Sequence, residues 1–193
     1  LKSCGRPLPL INLRIVDGQG NDVPVGEPGE LLVSAPASTA GYWRQGDLTE
    51  ARFQNGWYRT ADIAYRDAEG LYYIYDRADD KIITGGENVY STEVESAISL
   101  HPAVAAVAVI GVPDARWGEA IKAIIVPREG QMPDAEAIIA HCRTRLAGYK
   151  VPKSIDFVDA MPVTGTGKIS KKSLRDPYWK NQPKEKLDKF MAD

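Results

Sequence analysis

The sequence predicts a mixed fold, a β-rich half followed by a small α+β unit, with the change of character just beyond residue 77. Three observations carry that expectation. Short apolar runs separated by Gly, Asp and Asn turns fill the first half, and apolar residues recur at helical spacing in the second. Between them lies a charged cluster, Asp76-Arg77-Ala78-Asp79-Asp80-Lys81.

Residues 12–16 read as extended, and Asp17-Gly18-Gln19-Gly20-Asn21-Asp22 supplies a turn tolerant of positive φ. Residues 30–34 form a second apolar run, and residues 71–75 a third, after the turn Asp67-Ala68-Glu69-Gly70. Farther on, Thr92-Glu93-Val94-Glu95 fits a capping box, and Val94, Ala97, Ile98 and His101 then share one helical face that Pro102 ends. Two apolar strands follow, 104–110 and 120–126, joined by a loop containing Gly and Pro. Asp134 caps a second helix with Ile138, Ile139, Cys142 and Leu146 as its stripe and Gly148 at its stop. Residues 154–158 make a last strand. The order α-β-β-α-β predicts a compact α+β domain of roughly 100 residues. The expected divisions are therefore 1–78, 79–178 and a polar, solvated tail 179–193, with the charged boundary able to act as a hinge.

Composition narrows the function classes. The 193 residues are 44% apolar and 26% charged, enough to build a core. With 24 Lys and Arg against 26 Asp and Glu, the net charge of -2 gives no electrostatic reason to expect a nucleic acid or an anionic membrane as partner. Cys4 and Cys142 are far apart and lack metal-ligand spacing, and only His101 and His141 could join them, so no metal site is expected. The two thiols read as reduced, in a cytoplasmic protein. No apolar run approaches the roughly 20 residues that span a bilayer, and no signal peptide precedes the first strand. The sequence opens at Leu1 and runs within a few residues into strand-like material, so it reads as an excised piece of a longer chain.

Three motifs could carry chemistry. In Pro162-Val163-Thr164-Gly165-Thr166-Gly167-Lys168, two glycines one residue apart let backbone approach a phosphate, with a mobile cation beside them. It is not a Walker loop, since Pro162 and Ile169 stand where that motif needs Gly and Ser or Thr. A solvated Gly/Thr loop explains it equally well, and the basic run Lys171, Lys172, Arg175 reads as an exposed helix face. In Trp57-Tyr58-Arg59-Thr60-Ala61-Asp62, an ionised Asp62 accepts hydrogen bonds only and could hold the two hydroxyls of a ribose, although a lone Asp is more often a cap or turn residue. Arg77 alone reads as a surface ion pair. In Ile82-Ile83-Thr84-Gly85-Gly86-Glu87-Asn88-Val89-Tyr90, the Gly pair is either a plain turn or a place where a narrow ligand passes close to backbone.

Order and spacing say more than any single motif. Gly29-Glu30-Leu31-Leu32-Val33 with Gly41-Tyr42-Trp43, then Tyr58-Arg59-Thr60-Ala61-Asp62, then Asp76 through Ile83, Gly85-Gly86-Glu87-Asn88 and the Gly167-Lys168 loop resemble the late core motifs of the adenylate-forming superfamily. That superfamily comprises acyl-CoA synthetases, adenylation domains of peptide synthetases and beetle luciferases. The resemblance runs to about Leu174. It implies the β-rich end of a large N-terminal domain followed by a small, mobile α+β C-terminal domain. It implies that Asp62 holds the AMP ribose hydroxyls with Arg77 near the same ribose, and that Asp79 is the hinge of the small domain. Lys168 would bridge the acyl carboxylate and the α-phosphate during adenylation, while Gly85, Gly86 and Glu87 would line the pantetheine tunnel.

The implied activity is an ATP-dependent acyl-CoA ligase. Its partners would be a carboxylic acid, ATP with Mg2+ held by a ligand outside this chain, and CoA. The Ser/Thr/Gly-rich phosphate loop, the magnesium-linked glutamate and the acyl pocket of the family would lie in the missing N-terminal domain, so these residues alone are expected to be inactive. The segment Gly85 to Tyr90 resembles fatty acyl-CoA ligases and their aryl relatives rather than the Gly-x-Arg-Ile-Glu type of peptide synthetases, which favours CoA as acceptor and a fatty acid as substrate. Two residues depart from the family: Ala61 and Asp76 both stand where Gly is usual. The competing reading is a non-catalytic nucleotide- or protein-binding module derived from such ligases.

Overall fold

In the computed structural model, which describes residues 3–131 and 133–180, the chain divides into two units between Asp79 and Asp80. The first unit is an antiparallel sheet organised by its longest strand. β1 (Asn12–Val16) pairs with β2 (Gly29–Ser34), in register from Asn12↔Ser34 to Val16↔Glu30. A seven-residue helix α1 (Gly46–Arg52) leads into the short β3 (Phe53–Gln54), and then come β4 (Trp57–Arg66) and β5 (Tyr72–Arg77). One edge of β4 carries β2, while β3 and β5 take successive stretches of the other edge.

The core of this unit is small: Ile15, Leu31, Ala64 and Tyr72, with Leu13, Val23 and Val33 packed against them. Tyr65 and Tyr73 stack across β4 and β5 with ring centroids 4.7 Å apart. β4 was legible as a motif rather than as a strand, because its Thr-Ala-Asp centre interrupts the apolar alternation. α1 gives no sequence signal either, since it buries no residue and lacks a side-chain cap.

The second unit opens with a tight hairpin, β6 (Ile82–Thr84) and β7 (Glu87–Val89), which precedes the expected α-β-β-α-β series. α2 (Ser91–Ser99), β8 (Val104–Asp114), β9 (Gly118–Pro127), α3 (Ala135–Arg143), β10 (Ser154–Phe157) and α4 (Lys171–Trp179) follow. β8 and β9 form a long antiparallel ladder from Val104↔Pro127 to Asp114↔Gly118, longer at both ends than the apolar runs indicate. β10 adds parallel to β9, and β6 meets β9 at Thr84↔Gly118.

Because side chains alternate along a strand, β9 presents Ile121, Ala123 and Ile125 to one face. There they pack with Val94 and Ile98 of α2 and with Ile138 and Cys142 of α3. Burial raises the pKa of the Cys142 thiol. Lys122 points to the other face, where its Nζ donates to Asp156 of β10 at 2.6 Å, and Tyr178 of α4 donates to the same carboxylate at 2.8 Å. Helices thus cover both faces of the sheet. Among the described residues, no helix is long and apolar enough to cross a membrane.

Several local expectations need correction. The capping box does not form: α2 starts at Ser91 with Tyr90 at the N-cap and no side-chain cap bond. Glu95, which should reach back, instead accepts the Val109 amide at 2.8 Å and pairs with Lys171. Lys171 is therefore not part of an exposed face; its side chain is only 15% exposed. Asp134 does cap α3, accepting from Glu136 N at 3.2 Å, but Gly148 begins a short 3-10 turn rather than stopping the helix. His101 lies beyond the end of α2, and its ring accepts the Ala103 amide at 3.3 Å. Trp179, expected in the tail, closes α4, and its indole N–H donates to Gly111 O at 3.1 Å. Lys180 caps the end of α4, and the remainder of the expected tail, 181–193, lies outside the described residues.

Glu119 is the second unit's most strongly shifted acid. It is 7% exposed, and its carboxylate crowds Gly111 so closely that a Cβ there would stand 2.0 Å from Oε2. Burial pushes its carboxyl from 4.5 up to about 7, against the opposing pull of the Ile83 N–H bond and the Arg175 charge. A folded-state pKa above the unfolded one means that the native state keeps its proton between the two. The stabilisation is therefore complete below 4.5 and lost as pH rises through about 7. Relative to Glu119→Gln, which cannot ionise, the native sequence should lose up to roughly 3 kcal/mol between about pH 5 and about pH 8. Chemical denaturation of both chains across that range measures the difference; a constant difference would overturn the assignment.

Candidate functional site

The β2–β4 ladder breaks at the first of the expected site residues. Its register runs from Glu30↔Ile63 to Leu32↔Arg59, which leaves Leu31 alone opposite Thr60, Ala61 and Asp62. The surplus residues bulge out of the sheet and re-aim the side chain that follows, as β-bulges do. Thr60 replaces the lost ladder bonds: its hydroxyl donates to Leu31 O at 2.8 Å and accepts the Asp62 amide at 3.0 Å. Ala61 takes the left-handed backbone at φ 59 and is 2% exposed. That conformation explains why the family's Gly suits the position, and Ala occupies it at a steric cost of roughly 1–2 kcal/mol.

On the other edge, Asp62 stands opposite Arg77 of β5, and Arg77 Nη1 donates to Asp62 Oδ1 at 2.9 Å. Two of the expected site residues thus meet directly. The pair is open to solvent, with the side chains 53% and 29% exposed, so its contribution to stability is small. Asp76, the second departure from the family, is buried and accepts the Arg77 amide at 2.8 Å, which fixes the backbone from which Arg77 projects. On the neighbouring stretch of β4, Arg59 pairs with Glu30. Tyr58 stacks on Phe53 at 4.8 Å and shares a hydroxyl–hydroxyl bond of 3.0 Å with Tyr42 of the Gly41-Tyr42-Trp43 motif. That bond raises the Tyr58 pKa, with desolvation adding to it. Asp79 is exposed, in a 3-10 turn of Ala78–Asp80, at the division between the units.

In the second unit, Gly85 and Gly86 form the two-residue turn between β6 and β7, both at positive φ (61 and 85), as a type I′ hairpin turn requires. Gly85 N donates to Trp117 O at 2.9 Å, and a Cβ on Gly85 would stand 2.9 Å from the Trp117 ring. The turn is therefore pinned to the β8–β9 connection. Asp114 shapes that connection by accepting the Arg116 and Trp117 amides at 2.8 and 2.9 Å, bonds that lower its pKa. Glu87 is exposed at the start of β7. Trp117 was not anticipated; an Asp-x-x-Trp-Gly turn between long apolar strands was the available signal.

Lys168 is exposed, on a separate loop of the second unit. Residues 162–170 form a small hairpin closed by the Val163↔Ile169 bridge. Thr164 N donates to Lys168 O at 2.7 Å, Lys168 N to Thr164 Oγ1 at 3.3 Å and Gly167 N to Thr164 O at 2.9 Å. Lys150, a basic residue near a loop, is held by both oxygens of Glu93 at 2.8 and 2.7 Å. Among the described residues, no group of three or more His, Cys, Asp or Glu side chains could hold a metal ion.

Comparison with known proteins follows the same geography. The sequence model of the AMP-binding enzyme family matches residues 1–43, and that of the AMP-binding enzyme C-terminal domain matches 93–168. Feruloyl-CoA synthase of Amycolatopsis sp is 46% identical over 173 residues, 90% of this chain and 35% of that protein. A medium/long-chain-fatty-acid–CoA ligase of Mycobacterium tuberculosis is 42% identical over 186 residues, 93% of this chain and 33% of that one. The structure of o-succinylbenzoate CoA synthetase from Bacillus subtilis with its acyl-adenylate intermediate superposes with a TM-score of 0.84 at 37% identity, over 90% of this chain and 35% of that chain. The chain thus spans about a third of the length of the relatives it matches.

The bulge at Ala61 makes a specific demand. Ala61→Val places a β-branched residue at positive φ in a buried site and should destabilise the first unit by more than about 2 kcal/mol, whereas Ala61→Gly should stay within about 1 kcal/mol. Denaturant titration of the two variants compares them; a tolerated Val would show that the backbone there is not held left-handed.

Proposed function

The chain belongs to the AMP-binding enzyme family of adenylate-forming enzymes, and from that premise we propose that it is the C-terminal portion of an ATP-dependent acid–CoA ligase. The carrying observation is the lysine loop: an exposed Lys168 on a self-braced hairpin, the last residue of the segment that matches the family's C-terminal domain.

The chemistry has two steps. In the first, a carboxylate oxygen bonds to the α-phosphorus of ATP as the bond to pyrophosphate breaks. Anionic nucleophile and anionic electrophile converge, so a preorganised ammonium there stabilises the charge that builds up; Lys168 has that role. The Asp62 carboxylate accepts from the ribose hydroxyls, and Arg77 orients it through their 2.9 Å bond. In the second step the CoA thiol attacks the acyl carbonyl and AMP departs. A Gly85-Gly86 turn without side chains lets the slender pantetheine arm lie against backbone, with Glu87 flanking it. Asp79 is the pivot about which the second unit turns, offering first Lys168 and then the Gly pair. The described residues do not fit a Mg2+ site, so no step is assigned to that ion.

For the acid we propose a fatty acid, on the likeness of the Gly85 to Tyr90 segment to fatty acyl-CoA ligases and on the relationship to the mycobacterial ligase. An aryl acid is the second reading, favoured by the 46% identity to feruloyl-CoA synthase. The cytoplasm is the proposed location. The Ser/Thr/Gly-rich phosphate loop that the resemblance places in the large domain is not among the 193 residues, so by themselves they are proposed not to catalyse the reaction. ATP- and CoA-dependent thioester formation by the purified chain would overturn that part.

In the complete enzyme, Lys168→Ala should lower adenylation by at least about 100-fold. Thioester formation from supplied acyl-adenylate should stay within about twofold. Pyrophosphate exchange reads the first step and thiol consumption the second; equal losses in both would contradict the role given to Lys168.

A further inference from the structure

We infer that Lys171 and Glu95 are a positioning pair for Lys168, fixing the lysine loop to the start of α2. This rests on the reading of Lys168 above and adds two residues to it. The bonds inside residues 162–170 set the loop's shape, and its exit continues straight into α4, whose N-cap Ser170 accepts the Ser173 amide at 3.3 Å and donates its own amide to Pro162 O at 2.8 Å. The next residue is the anchor. Lys171 Nζ donates to Ser91 Oγ at 2.6 Å and lies 2.8 Å from Glu95 Oε1, which also accepts the Val109 amide at 2.8 Å. Ser91 is fully buried, and the paired side chains are 15% and 19% exposed.

Local preference does not explain a lysine here. At the first residue of a helix an ammonium faces the positive end of the macrodipole, and burying it adds a desolvation cost. What the pair supplies is a single geometry. An ammonium caught between a hydroxyl and a carboxylate, itself fixed to a sheet amide, cannot slide as an apolar contact could. It lies only three positions beyond Lys168, at most roughly 10 Å of extended chain. Movement of the anchor therefore reaches the catalytic ammonium, and a displacement near 1 Å is enough to lose about 100-fold in rate.

The test is made in the complete enzyme of which these residues would form the C-terminal part. Lys171→Met should lower kcat for adenylation by about 10- to 100-fold, with KM for ATP and thioester formation from supplied acyl-adenylate within about twofold. Lys171→Arg should restore most of the loss. In a Lys168→Ala background, Lys171→Met should cost nothing further, because the pair acts only through Lys168. Should Lys171→Met fail to fold, Glu95→Gln, which keeps its size and its bond to Val109, carries the same readouts. Loss in both half-reactions together, unchanged adenylation, or a further loss on top of Lys168→Ala would each overturn the pair. If Lys168→Ala itself leaves adenylation intact, the assignment of Lys168 fails instead.

Discussion

The second unit depends on β9 having a pairing partner along both edges. β8 takes one edge over its whole length; on the other, β10 takes the middle of the strand and β6 its first residue. A strand so enclosed satisfies its backbone groups inside the sheet, and its faces must then be covered as well. α2 and α3 cover one, and α4 the other. The two loops proposed to carry function are consequences of that arrangement. The Gly85-Gly86 turn is fixed where β6 meets the beginning of β9, and the lysine loop is fixed where α4 enters its face.

Polar contacts beside the core decide how accurately those loops are held. Lys122, Asp156 and Tyr178 hold the far end of α4, while Glu95, Ser91 and Lys171 hold its near end. Such ionic pairs beside a core add little net stability, but losing one partner leaves the other's charge uncompensated. In the first unit the same economy of means appears in a single hydroxyl. Thr60 replaces the ladder bonds lost at the bulge and leaves Asp62 projecting toward Arg77.

Much of this was legible in the sequence where periodicity and turn chemistry agree. The turn at residues 17–22, the cap at Asp134, the stripe of Ile138 and Cys142 and the paired strands on either side of Trp117 follow from local rules. What local rules miss is a residue recruited by a distant partner. Thr92 to Glu95 has the letters of a capping box, yet Glu95 is taken by an amide 14 residues on and an ammonium much farther along the chain. Lys171 reads as a solvated cation for the same reason. β4 was hidden because its centre is a bulge, and the residues that spoil its alternation are those that aim Asp62. The candidate site residues singled out by order and spacing lie on turns, a bulge and a strand end, where backbone departs from regular geometry.

The two cysteines give the chain an internal gauge of its own breathing. Cys4 is exposed in the first unit, while Cys142 is wholly buried in the core of the second, with a thiol that burial keeps protonated. A thiol reagent should consume Cys4 at the rate of an open site. It can reach Cys142 only when α3 lifts from the sheet, so the slow phase of alkylation would count those openings directly. The ratio of the two phases would report local motion in the second unit from the native sequence, with no residue substituted to provide the probe.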